Sequence, residues 1–143
     1  MKIVLDTNVI VSGLLHPFRP SGEILRMAAA GDVQLCYDAR ILSEYKDVLM
    51  RPKFSFNPAD VNDLLVQIET CGFAVASTPL TRRLPDSDDE PFLEIALAGR
   101  AQCLVTGNIR HYPPKKREGM LIVSPTDFLE FYRRKRIYHG SAG

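Results

Sequence analysis

Four places along the chain carry oxygen-bearing side chains that are weighed together: Asp6, Glu44, the run Asp86-Ser87-Asp88-Asp89-Glu90, and Asn108. Asp6 follows Lys2-Ile3-Val4-Leu5, a short apolar run that reads as a strand buried on both faces. A carboxylate at its end is half-buried, which is costly unless a cation or donor meets it. Asn108 ends Cys103-Leu104-Val105 in the same way. Each acid also has a simpler reading. Asp6, Thr7 and Asn8 are good helix caps, Glu44 suits a solvated helix face, and Asp88 and Asp89 suit a helix N-terminus. Taken together, two strand ends and two flanking helices can converge on one small site. Carboxylates gathered that closely repel one another and need a divalent cation. The set is oxygen only, with no His or Cys beside it, so Mg²⁺ or Mn²⁺ fits and zinc does not. A hard ion in such a cup, beside a basic surface, suits hydrolysis of a phosphodiester.

The positioning elements follow from periodicity. The helix from Ala39 to about Met50 carries Ile41, Leu42, Tyr45, Val48 and Leu49 as its apolar stripe, with Asp38 as N-cap. At roughly 100° per residue, Glu44 lies about 40° beyond the edge of that stripe. Pro91 restricts the start of the next relevant helix to Asp88 or Asp89. On it Asp89 projects with Phe92, Ile95 and Ala96, while Glu90 and Glu94 point away. Ser87-x-x-Glu90 also fits a capping box.

Further helices are expected over Val9–Leu15, Ser21–Ala30 with Gly31 as stop, and Pro58 to Gly72. A last one starts at Ser124-Pro125. Strands are expected at Val33–Tyr37, Phe73–Ala76, Cys103–Val105 and Met120–Val123, with Thr78–Pro85 a polar loop. Strands alternating with helices argue for a parallel sheet of about five strands covered on both faces.

The 143 residues are expected to form one domain, 1–143, with a basic C-terminal tail from about 133. No apolar stretch reaches the roughly 18 residues of a membrane span, and no signal peptide is expected. Cys36, Cys71 and Cys103 are odd in number, widely spaced and set among apolar neighbours, as in reduced core residues of a cytosolic protein. The net charge of +1 hides an asymmetry: residues 1–109 balance at −4 and residues 110–143 at +5. Acidic groups suit a cation and basic groups an anion.

Four strings in series resemble the PIN domain family: Val4-Leu5-Asp6-Thr7-Asn8-Val9, Leu42-Ser43-Glu44-Tyr45, Asp86-x-Asp88-Asp89-x-x-Phe92-Leu93-Glu94-x-Ala96, and Leu104-Val105-Thr106-Gly107-Asn108. More narrowly they resemble the VapC-like ribonucleases, toxins of toxin–antitoxin systems. The resemblance covers nearly the whole chain. It implies a three-layer α/β/α sandwich and Mg²⁺- or Mn²⁺-dependent cleavage of RNA. It also implies a cognate antitoxin protein and a homodimer. Asp6, Glu44 and Asp89 match the metal-site acids. Asn108 stands where many members have Asp, keeping an oxygen but losing a charge. Thr7, Asn8 and Thr106 match positions that orient the site by hydrogen bonds.

Arg110, His111, Tyr112, Lys115 and Lys116 follow Asn108 closely and are candidate RNA contacts, with Tyr112 stacking a base. The run Arg133-Arg134-Lys135-Arg136 reads either as a nucleic-acid patch or as a helix end complementing its dipole. Three functions are weighed. The first is a metal-dependent endoribonuclease. The second is a non-catalytic PIN-like module that binds RNA or a partner, motivated by Asn108. The third, a phosphohydrolase with Asp6 as nucleophile, wants a second Asp two residues on, where this chain has Asn8.

Overall fold

The computed structural model describes the backbone of residues 1–142 and the side chains of residues 1–137. Among these, five strands form one sheet: β1 (Lys2–Leu5), β2 (Gln34–Tyr37), β3 (Phe73–Ala74), β4 (Cys103–Val105) and β5 (Ile122–Val123). Their order is β3-β2-β1-β4-β5, and every pairing is parallel. The helices are α1 (Thr7–Leu15), α2 (Pro20–Ala30), α3 (Ala39–Leu49), α4 (Pro58–Cys71), α5 (Glu90–Ala98) and α6 (Pro125–Ala142).

β1 is central and pairs on both edges, Ile3 facing Leu35 on one side and Cys103 on the other. Ile3, Val4, Leu5, Cys103, Leu104 and Val105 are all fully buried, which is why these runs are continuously apolar rather than alternating. Steps from β1 to β2 to β3 move one way across the sheet, and the step to β4 moves back past β1. With right-handed crossovers, that reversal puts α5 on the face opposite α2 and α4. The result is the expected α/β/α sandwich.

Local chemistry sets the boundaries. Asp38 Oδ1 accepts the Ile41 amide at 3.1 Å, and Ser124 Oγ accepts that of Asp127 at 3.1 Å. Gly31 ends α2 in the left-handed region, at φ +83, with the Asp32 amide bonded back to Met27 at 2.9 Å. Cys36 and Cys103 are in the core as expected, whereas Cys71, the last residue of α4, is exposed. Some expected limits shift. α1 begins at Thr7 rather than Val9, directly after β1. β3 stops at Ala74 and β5 starts only at Ile122. Pro91 confines α5 to Glu90 onward, and the acidic run before it forms a single 3₁₀ turn, Ser87–Asp89.

The basic tail lies elsewhere than a nucleic-acid patch for the site would require. α6 leaves the carboxyl end of β5 and runs back along the sheet. Lys135 Nζ reaches Gln102 Oε1 at 2.5 Å, just before β4 begins, and Arg133 pairs with Glu23 at 3.5 Å. About ten residues of helix, at roughly 1.5 Å each, separate these cations from the Asp6 end of the sheet. The remainder of the tail, 138–143, lies outside the described side chains.

Core and surface should respond very differently to truncation. Leu104→Ala empties a fully buried position in β4 and should cost about 2–5 kcal/mol in urea unfolding with unchanged slope. Phe18→Ala, at a side chain 96% exposed, should stay within about 0.5 kcal/mol.

Candidate active site

β1 and β4 are neighbours that leave the sheet in opposite topological directions, so their carboxyl ends form the switch point where open α/β sheets bind ligands. Asp6 sits there, its amide bonded to Val105 O at 2.9 Å. It occupies the N-cap position of α1, yet its side chain caps nothing. Oδ2 instead accepts the Thr106 hydroxyl at 2.9 Å and the Tyr112 hydroxyl at 3.1 Å. The capping reading of Asp6 therefore gives way to a carboxylate turned into the site. Only 5% of Asp6 is exposed. Burial raises its pKa, against the two hydroxyl donors that favour the charged form.

Glu44 reaches the same place because its neighbour Tyr45 is anchored. The buried Tyr45 hydroxyl donates to Leu5 O at 2.5 Å, tying α3 to the end of β1. The Thr7 hydroxyl then donates to Glu44 Oε2. Burial pushes the Glu44 pKa up, and the charges of Asp6 and Asp88 add to it. Asp89 is also buried, at the end of its 3₁₀ turn. The Asp86 side chain organises that turn by accepting the Asp88 amide at 2.9 Å. Burial, with the Asp6 charge next, lifts Asp89 to about 6. Asp6 thus acts electrostatically on both other acids.

Two sequence expectations are corrected here. The acids do have a histidine beside them: His111 Nδ1 lies 3.0 Å from Asp89 Oδ2. Asp86, Asp89 and His111 offer ligand atoms within 4.8 Å of one another, so the donor set is not oxygen only. Tyr112 cannot stack a base, because it is 0% exposed with its hydroxyl on Asp6. The turn Ile109–His111 drives it inward beneath the site, where its ring packs in the core.

The other expected positions divide. Asn8 Oδ1 accepts the Gly107 amide at 2.8 Å, joining the first turn of α1 to the loop after β4. A Cβ at Gly107 would come within 3.2 Å of that oxygen, so the close approach favours glycine. Thr106 Oγ accepts the Asn108 amide at 3.0 Å, and Asn108 itself is exposed at the rim. Arg110 and Lys115 are exposed and Lys116 is half-buried, on the β5 side of the site.

Sequence reasoning missed Glu90 and Glu94. Both point away from the pocket, as expected, yet both are buried. Glu90 Oε2 binds the Leu84 amide at 2.9 Å and Arg83 at 3.0 Å; Glu94 binds Arg40 at 2.7 Å and the Leu80 amide at 3.1 Å. They clamp the loop that delivers Asp86–Asp89. The signal was faint: a polar loop beside two helix glutamates has amides that need acceptors.

The donor set suits a divalent cation. Asp86, Asp89 and His111 bring their ligand atoms together as a cation would need, Asp6 and Glu44 stand outside that group, and among the described residues no Lys or Arg forms an ion pair with Asp6 or Glu44. Raised carboxyl pKa values have a definite sign in stability. Below about pH 4 these groups are protonated in both states. Between their unfolded pKa near 4 and the folded value of about 6 for Asp89, the native state holds more protons, so stability falls as pH rises. Metal-free protein should therefore melt lower at pH 7.5 than at pH 5, and Asp89→Asn should raise its Tm at pH 7.5. A lower Tm for that variant would contradict the repulsion.

A comparison with curated proteins finds no match. The family model for the PIN domain, a fold generally associated with nucleases, matches residues 2–110, from the start of β1 through the loop after β4. That span includes Asp6, Glu44, Asp86, Asp89 and Asn108, and ends one residue before His111. The chain belongs to the PIN domain family.

Proposed function

We propose that this protein is a metal-dependent endoribonuclease, the toxin of a toxin–antitoxin pair, acting as a cytoplasmic homodimer restrained by a protein antitoxin. One observation supports the nuclease reading above the others: Asp6 is buried at the carboxyl end of β1, at the sheet's switch point, with its carboxylate held by the Thr106 and Tyr112 hydroxyls and, among the described residues, no Lys or Arg paired with it. The family supplies the substrate class, a nucleic acid.

In this reading Asp6, Glu44 and Asp89 would hold Mg²⁺ or Mn²⁺, which would supply an activated water and offset charge on the leaving oxygen. The protein's own part is orientation. Thr106 and Tyr112 fix Asp6 Oδ2, Thr7 fixes Glu44, and His111 fixes Asp89. Asn8 holds the loop after β4 against α1. Asn108 offers a neutral oxygen at the rim, and Arg110, Lys115 and Lys116 meet backbone phosphates.

Asn108 also motivates a second reading, a PIN-like module that binds without cleaving. Calorimetry and cleavage separate the two. The nuclease reading expects Mn²⁺ binding and Mn²⁺-dependent cleavage of single-stranded RNA. Thr106→Val should weaken both about 10–100-fold through the loss of an orienting bond, and Asp6→Asn should weaken them further. Expression should arrest growth, and Asp6→Asn should relieve it. No Mn²⁺ binding at millimolar concentration would favour the module.

A further inference from the structure

A groove of about 350 Å³ opens directly beside the acidic site, between α1, α3 and the 3₁₀ turn Pro52–Phe54. Thr7 and Asn8 form its inner end, Val11, Leu15 and Val48 its apolar walls, and Phe54 its outer wall. Thr7 faces both ways, since its hydroxyl is bonded to Glu44. We propose that this groove is a base-binding subsite for single-stranded RNA, in which one nucleotide next to the scissile phosphate stacks on Phe54. The proposal rests on the nuclease reading and adds where the strand enters.

Four features select an unpaired nucleotide as occupant. The volume lies at the small end of ligand pockets, enough for one nucleotide but not for a duplex. Phe54 is half-exposed and is held flat by Phe56, whose ring lies 5.6 Å away and is tilted by only 16°. The Lys53 ammonium lies over the Phe54 ring, 5.0 Å from its centre, on an exposed side chain free to move to a phosphate when a base takes that face, and Arg51, paired with Asp47 at 3.3 Å, is near enough to act on Glu44. An aromatic platform beside cations that track the backbone is how proteins grip single strands. Finally, Asn8 Oδ1 is committed to Gly107, which leaves the Asn8 amide nitrogen to donate to an acceptor on a base edge. Tyr112, the residue expected from sequence to stack a base, is buried, so Phe54 takes over that task from the other side of the site.

The test uses the whole protein in EDTA, where no cleavage occurs, with a short single-stranded RNA carrying 5-iodouridine. Irradiation should cross-link the RNA to residue 54. Phe54→Leu removes the flat face, and Leu15→Glu places a negative charge on a wall residue already 44% exposed, where the fold tolerates it. Each should weaken RNA binding roughly tenfold. Unchanged affinity in both variants, with cross-links elsewhere, overturns the proposal, and is what a groove reserved for a protein partner would give. Weakening in Leu15→Glu alone overturns the stacking on Phe54. Parallel Mn²⁺ cleavage assays keep the two readings apart. Wild-type cleavage with unchanged RNA affinity in both variants rejects the subsite and leaves the nuclease. Stacking without any cleavage keeps the subsite and rejects the nuclease.

Discussion

Negative charge held out of water at one end of a parallel sheet is the constraint around which this molecule is arranged. Asp6, Glu44 and Asp89 come from segments far apart in the chain, and each is pushed toward its neutral form by burial. The fold accepts that cost because the strand order requires it. β1 and β4 lie side by side only after the chain has crossed the sheet in both directions, and the reversal leaves a crevice at their carboxyl ends. Whatever relieves the repulsion there also gains in affinity.

Among the described residues, no lysine or arginine pairs with any of the three acids. Hydroxyls from Thr7, Thr106 and Tyr112 carry two of them, an imidazole faces the third, and Tyr45 anchors α3 through a backbone oxygen of β1. A hydroxyl orients a carboxylate without neutralising it, whereas a buried lysine or arginine would have satisfied the charge and closed the site to a cation. The arginines are used farther out. Arg40 and Arg83 pair with Glu94 and Glu90, fastening the loop that carries the third acid.

Much of this was legible in the residues. An apolar strand ending abruptly in Asp6 pointed to a half-buried carboxylate, because the residue after a strand buried on both faces emerges at the edge of the core. Helical phase put Glu44 at the edge of a buried face and Asp89 on it. Both inferences depend only on local geometry. What failed was whatever depended on contacts between distant segments. Tyr112 looked superficial because Arg110, His111, Lys115 and Lys116 surround it in sequence, yet a tight turn sends its ring into the core and its hydroxyl to Asp6. His111 beside Asp89 is a pairing across 22 residues that no periodicity encodes. Of the two readings of Arg133–Arg136, the nucleic-acid patch at the site fails and the helix end stands, because a helix following a parallel strand runs back toward the strand's beginning.

The account stands on the claim that the Asp6, Glu44 and Asp89 side chains share one doubly charged ion. Diffraction from crystals grown with Mn²⁺, collected at its absorption edge, tests this most directly. The account predicts an anomalous peak within about 2.0–2.5 Å of oxygens from all three acids. A peak held by Asp86 and His111 without Asp6, or by surface acids alone, would contradict it.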